Sequence, residues 1–264
     1  MQKDIKYKLA PLPLDQLLPD GRIVNRKWLY SHWAERSLVD YYLRSGKLVP
    51  VARGVYRRPG PDLKWEQVVY SLQKMDYDVR VGADTALELQ GYGHYVSFNG
   101  QKSITLVGTL KAPAWINEVD KDITYNSYVE KCFTSLPENS TTYKEVGHWD
   151  WNIEISTVEL ALFELLSHLK NEADFLQADK YFESATTLRP NLVNELLQTC
   201  TEIKTKRLFM WFADRHNHHW FKSIKGDSIN LGKGKRMIIK GGSLDTKYLI
   251  TVPKEMTDDE QFFF

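Results

Sequence analysis

The stretch Arg36–Arg58, RSLVDYYLRSGKLVPVARGVYRR, changes its period half-way along. From Arg36 to Ser45 the spacing is helical. At about 100° per residue, Leu38, Val39, Tyr42 and Leu43 share one stripe, and Arg36, Ser37, Asp40, Tyr41 and Arg44 the opposite one. Gly46 is the residue favoured just past a helix C-terminus. Beyond it, Lys47–Ala52 and Val55–Arg58 read as extended segments flanking Arg53-Gly54, where Gly54 supplies the positive φ of a tight turn. Pro50 has no N–H for a ladder, so its strand belongs at a sheet edge. A helix, a glycine and a basic hairpin, in that order, predict a recognition helix followed by a wing.

Working outward toward the N-terminus, Leu14–Leu18 reads as a short helix stopped by Pro19-Asp20-Gly21. Arg26–His32 carries the anchors Trp28 and Leu29, and Trp33-Ala34-Glu35 is a turn between two helices. The whole is a winged helix-turn-helix whose small core is expected to hold Trp28, Leu38, Tyr42, Leu48 and Val55. Guanidinium forks suit guanine edges and phosphates, and short hydroxyl groups suit backbone oxygens. The residues placed to meet DNA are therefore Lys27, Arg36, Ser37, Asp40, Tyr41 and Arg44 from the helices, and Lys47, Arg53, Arg57 and Arg58 from the wing.

The charge distribution agrees. Over 264 residues the net charge is only +1, yet residues 1–60 hold 12 Lys/Arg against 5 Asp/Glu. Residues 61–221 are acidic, with 15 against 23, and residues 222–254 are basic again, with 8 against 2. Basic ends around an acidic middle are the footprint of a modular protein whose ends touch phosphate. Cys132 and Cys200 lie far apart and match no metal or redox spacing, so they read as two buried structural thiols of a reducing compartment. With no secretory signal and no apolar run of about 20 residues, a soluble, cytoplasmic protein is expected.

The remainder predicts a mixed α/β domain after a boundary near residue 95, giving an α+β protein of 1–95 and 96–264. Helices are expected at Trp65–Met75, Thr85–Gln90, 173–186, 190–201 and 204–217. Another is opened at Ser156 and Glu159 by a capping box and runs to about Lys170. Strands are expected at Ser103–Val107, Ile123–Tyr125, Thr142–Val146 and Trp151–Ile155.

Catalytic constellations are weak. His216, His218 and His219 lack the i, i+4 spacing of helical metal ligands and read as a helix end. Gly232-Lys233-Gly234-Lys235-Arg236 lacks the spacer and the Ser/Thr of a phosphate loop. Asp150 and Glu154 have no following Lys at nuclease spacing. No enzyme, metal or cofactor is predicted.

Several blocks resemble the AbiEi antitoxins of type IV toxin–antitoxin, or abortive-infection, pairs. They are Leu43-Arg44-Ser45-Gly46-Lys47-Leu48 with Ala52-Arg53-Gly54-Val55-Tyr56-Arg57, then Gly82–Tyr92, Ser156–Ala161 and Lys204–Phe209. The most specific is the last, Leu231–Arg236 with Lys240–Asp245 and Tyr248–Pro253. The resemblance implies a winged helix that represses its own operon by binding double-stranded operator DNA, with inverted repeats in its promoter. It further implies a C-terminal domain that counteracts a co-encoded nucleotidyltransferase-type toxin. Lys204, Lys206, Arg207, Lys233, Lys235, Arg236 and Lys240 form a basic patch for that antitoxin role or for phosphate. On the residues alone two alternatives stay open: an enzyme, nuclease or modifying, delivered to DNA by the winged helix, and a winged helix used for protein contact.

Overall fold

The computed structural model describes residues 13–32, 35–93, 102–147 and 150–257. Trp33 and Ala34 of the expected turn lie outside these residues, as does position 95.

The chain opens with α1 (Leu14–Leu17), β1 (Ile23–Asn25), α2 (Arg26–His32), α3 (Arg36–Arg44), β2 (Val49–Ala52) and β3 (Val55–Arg57). Asn25 starts α2 by accepting the Trp28 N–H on Oδ1 at 2.7 Å, a side-chain cap. Gly46, at φ +71°, ends α3, and Gly54, at φ +76°, turns the hairpin. The strands form an antiparallel sheet in the order β1-β3-β2, so Pro50 sits on an edge strand as expected. Strand β1 was not expected: three residues carry no readable alternation, and its place is fixed by pairing with β3, Val24 opposite Tyr56.

Strands β1 and β3 of this small sheet are buried on both faces. Val24 and Tyr56 point into a cluster with Leu18, Trp28, Leu29, Val39, Leu48 and Met75, which fastens α2 and α3. Their neighbours Ile23 and Val55 point the other way, into the larger core of the protein. The period-2 alternation of a strand therefore assigns adjacent residues to different cores. Two expectations change with it. Val55 does not join the α3 core, and Leu38 is only half-buried while Val39 is fully enclosed. The inward stripe of α3 is Val39, Tyr42 and Leu43, at i, i+3 and i+4; Leu38 sits about 100° to one side.

Next come α4 (Trp65–Lys74), β4 (Val79–Val81), α5 (Ala83–Leu89), β5 (Lys102–Gly108), α6 (Ile116–Val119), β6 (Ile123–Val129), β7 (Thr141–Val146) and β8 (Trp151–Ser156). Strands β4 to β8 build a mixed sheet in the order β6-β5-β4-β8-β7. Its middle strand, β4, is Val79-Arg80-Val81, buried throughout and too short to have been read from the sequence. Residues on both sides of position 95 thus share one sheet and one core.

Helices α7 (Val158–His168), α8 (Glu172–Ser184), α9 (Pro190–Thr199) and α10 (Ile203–His216) follow, and after them come the hairpin β9 (Ser243–Asp245) and β10 (Ile250–Val252) and a 3-10 turn at Lys254–Met256. Stacked Phe163–Phe209 and Phe182–Phe212 pairs, with centroids at 4.3 and 5.0 Å, join α10 to α7 and α8. Helix α9 opens with Pro190 as expected. The capping box of α7 does not form. Thr157 takes the cap position, and the Ser156 hydroxyl donates to Glu164 at 2.8 Å. Glu159 instead accepts from Arg189, whose Nη2 donates at 2.8 Å, Nε at 3.0 Å and backbone N–H at 2.8 Å.

One ion network lies inside. Arg80 of β4 donates from Nη2 to Glu164 at 2.6 Å and to Glu130 at 2.9 Å, and from Nε to the Ser156 hydroxyl at 3.0 Å. The second Glu164 oxygen accepts the Ala83 N–H at 2.9 Å. Every charged group there has partners, the condition under which buried charge is tolerated.

Candidate nucleic-acid interface

Burying Val39 fixes the azimuth of α3, and the opposite stripe turns outward. Arg36, Ser37, Tyr41 and Arg44 are all exposed and Asp40 is half-buried. The Arg44 guanidinium rests on its own helix, Nε donating to the Asp40 carbonyl at 3.3 Å. Lys47, at the base of the wing, lies 6.0 Å from the Tyr41 ring and 5.8 Å from that of Tyr42, close enough for cation–π attraction to hold it beside α3. Arg53 is exposed at the turn of the hairpin, and Lys27 is exposed on α2. These side chains supply the forks, hydroxyls and ammonium groups that a polyanion needs, and none is closed off by the core.

Arg57 and Arg58 are placed differently. Arg57 donates to the Pro61 and Gly60 carbonyls, and Arg58 pairs with Asp20 at 3.0 Å. Both are half-buried and tie the end of the wing to neighbouring loops. Two residues of this face were not read from the sequence. Tyr30 is 41% exposed on α2 beside Lys27, a neighbour at i, i+3 that the pattern could have shown. Arg26 donates to the Tyr56 hydroxyl at 2.8 Å, and that bond raises its pKa above the ordinary arginine value. No sequence signal announces a contact between side chains 30 positions apart.

The C-terminal basic patch divides. Lys233, Lys235, Arg236 and Lys240 are exposed on the glycine-rich segment, next to Met237 at 73% exposure. Lys206 and Arg207 are buried, and Lys204 is half-buried with Nζ donating to the Leu169 carbonyl at 2.7 Å. Arg207, 1% exposed, donates to the carbonyls of Leu231 at 2.7 Å, Gly234 at 2.6 Å and Leu249 at 3.2 Å. It anchors the basic segment from beneath and is not part of its surface. Burial lowers its pKa, with Arg236 adding repulsion.

The histidine run closes α10. His216 Nε2 lies 2.8 Å from Asp179 and His218 Nε2 2.8 Å from the Phe182 carbonyl, while Asn217 takes the left-handed cap conformation at φ +45°. Among the described residues no group of three His, Cys, Asp or Glu could hold a metal ion, and no helix is long and apolar enough to cross a membrane.

Two family models cover almost the whole chain. Residues 10–98 match the AbiEi antitoxin N-terminal domain, described as a transcriptional regulator, and residues 101–253 match the AbiEi antitoxin transcriptional regulator of type IV toxin–antitoxin systems. The chain belongs to the AbiEi family. This AbiEi protein is thus an antitoxin and transcriptional regulator of a type IV system. No curated protein matches it. Among solved structures it is similar to the RV2827C protein from Mycobacterium tuberculosis, with a TM-score of 0.52 and 9% identity over 87% of this chain and 85% of that one. At that identity the likeness is one of fold.

Proposed function

We propose that this AbiEi protein binds double-stranded operator DNA through α3 and the wing, and represses the operon that encodes it together with a nucleotidyltransferase-type toxin. The observation that carries the reading is the azimuth of α3. Its buried Val39 leaves Arg36, Ser37, Tyr41 and Arg44 on one free face, beside exposed Lys47 and Arg53. Side chains of α3 enter the major groove, where Arg36 and Arg44 read base edges, and Lys27, Lys47 and Arg53 neutralise phosphates. Inverted repeats in the promoter are the form of operator that two copies would occupy.

The C-terminal part counteracts the toxin, and the exposed run Lys233, Lys235, Arg236 and Lys240 is its cationic face, held in place by Arg207. In this reading the division between the two jobs falls in the stretch between Arg58 and Trp65, after the wing and before α4.

A gel-shift titration on the chain's own promoter at two salt concentrations tests the first half. Arg44→Ala relaxes sequence preference and costs about 1–3 kcal/mol on the operator if the fork is bidentate to a base. Arg53→Ala weakens all sequences alike and flattens the salt dependence. Operator binding unchanged by Arg36→Ala and Arg44→Ala together would overturn the reading. Growth after toxin induction tests the second half. Neutralising Lys233, Lys235 and Arg236 together abolishes protection but leaves operator binding, and protection that survives refutes that role for the patch.

A further inference from the structure

Cys132 and Cys200 match no motif, yet the fold joins them. The chain leaving β6 runs antiparallel to the chain leaving α9, with Phe133 paired to Cys200. The Cys132 carbonyl accepts the Thr201 N–H at 2.7 Å and the Thr201 hydroxyl at 3.0 Å. Both thiols converge on the next residue: Cys132 Sγ donates to Glu202 Oε2 at 3.2 Å and Cys200 Sγ to the Glu202 carbonyl at 3.7 Å. Cys132 forms part of the wall of a cavity of about 340 Å³, with Glu130, Lys131, His168 and Glu202, while Cys200 lies behind it at 2% exposure. A hydroperoxide is small enough for such a cavity, and the pair plays no part in the operator face or the cationic segment.

We propose that Cys132 and Cys200 form a peroxide-sensitive dithiol, a modification site at which a hydroperoxide produces one reversible disulfide within the chain. In the first step Glu202 takes the Cys132 thiol proton and the sulfur attacks a peroxide oxygen. The O–O bond breaks, a sulfenic acid forms on Cys132, and the departing hydroxide leaves as water with the proton held by Glu202. In the second step the Cys200 sulfur attacks Cys132, the S–S bond forms and the S–O bond breaks. The released hydroxide takes the Cys200 proton as a second water when the oxidant is hydrogen peroxide. Both sulfurs are oxidised and the peroxide is reduced. Cys132 lines the cavity and Cys200 does not, which assigns Cys132 to the first step and Cys200 to the second. The product staples the α9–α10 turn to the segment after β6, directly ahead of the helix whose Arg207 grips the basic loop.

The test uses the folded full-length protein and hydrogen peroxide. After catalase quenching, the protein is denatured with a maleimide and read by intact mass and by a non-reducing peptide map. Expected are loss of both reactive thiols, a single cross-linked peptide pair joining Cys132 to Cys200, and recovery of two labels after dithiothreitol. The oxidised protein melts higher than the reduced one, and Cys132→Ser and Cys200→Ser each remove that shift. Two thiols still labelled after treatment would overturn the proposal. So would linkage between chains, or sulfinic acid without a cross-link. The peptide map of the unaltered protein decides the matter even if a serine variant misfolds.

Discussion

Shortening Val39 and shortening its neighbour Leu38 should have unequal costs. Val39 is fully enclosed among Trp28, Leu29, Leu48 and Tyr56, whereas Leu38 is half-buried and stands outside that cluster. Val39→Ala deletes two buried carbons, and at about 0.8 kcal/mol each the transfer loss is about 1.6 kcal/mol. A cavity that the tight cluster fills only in part brings the total to about 2–3 kcal/mol. Leu38→Ala removes three carbons that were partly in water already, which cuts a full transfer loss of about 2.4 kcal/mol to about 1.5–2 kcal/mol with no enclosed cavity to add, so its cost stays below that of Val39→Ala despite the larger deletion. Urea titration followed by tryptophan fluorescence compares the two, since Trp28 lies in the affected cluster. A Leu38→Ala loss equal to or greater than that of Val39→Ala would show that α3 is rotated by one residue. The face carrying Arg36, Ser37, Tyr41 and Arg44 would then not be the free one, and the operator reading would lose its support.

Removing one member of the buried network should be severe. Arg80→Met leaves Glu164 without its counter-charge and lowers stability by about 3–5 kcal/mol, and a melt indistinguishable from the parent would refute the pairing. A pH series separates Glu159. Burial alone would raise its pKa, but the Arg189 hydrogen bonds outweigh burial and hold it below the ordinary 4.5. A depressed pKa stabilises the fold above 4.5 and loses that contribution as pH falls through the folded value, so the stability gap to Glu159→Gln should narrow in acid. A gap that widens there contradicts the assignment. Fragments test the division of the chain. One starting at Val96 lacks β4 and should not fold, whereas one starting at Asp62 keeps the whole five-stranded sheet and should show a cooperative melt. A folded Val96 fragment would mean that β4 is dispensable.

Long periodic segments and their punctuation were legible in the sequence. Helix α3, the two glycines around the wing, the edge proline and the four C-terminal helices all came from spacing and turn chemistry. Strands β1 and β4 did not, because three residues offer no alternation to count and only their neighbours hold them in place. The stripe on α3 was read four residues wide, and pattern alone does not say which edge of a stripe turns inward. Arg207 was read as surface because arginines usually are; three backbone carbonyls, two of them more than twenty residues downstream and one more than forty, satisfy it where it lies. The same distance in sequence hid the meeting of Cys132 and Cys200.

The sheet of β1, β3 and β2 is a party wall. Ile23 and Val55 belong to one room, and Val24 and Tyr56 to the other. Neither room can be opened without stripping one surface of the partition, so the chain should melt through that region in a single step. Hydrogen exchange at Val24 and Tyr56 should track exchange at Ile23 and Val55. By the reciprocity of linked equilibria, whatever steadies the wing from outside also steadies the larger core behind it, and the free energy of that exchange is the same in both directions.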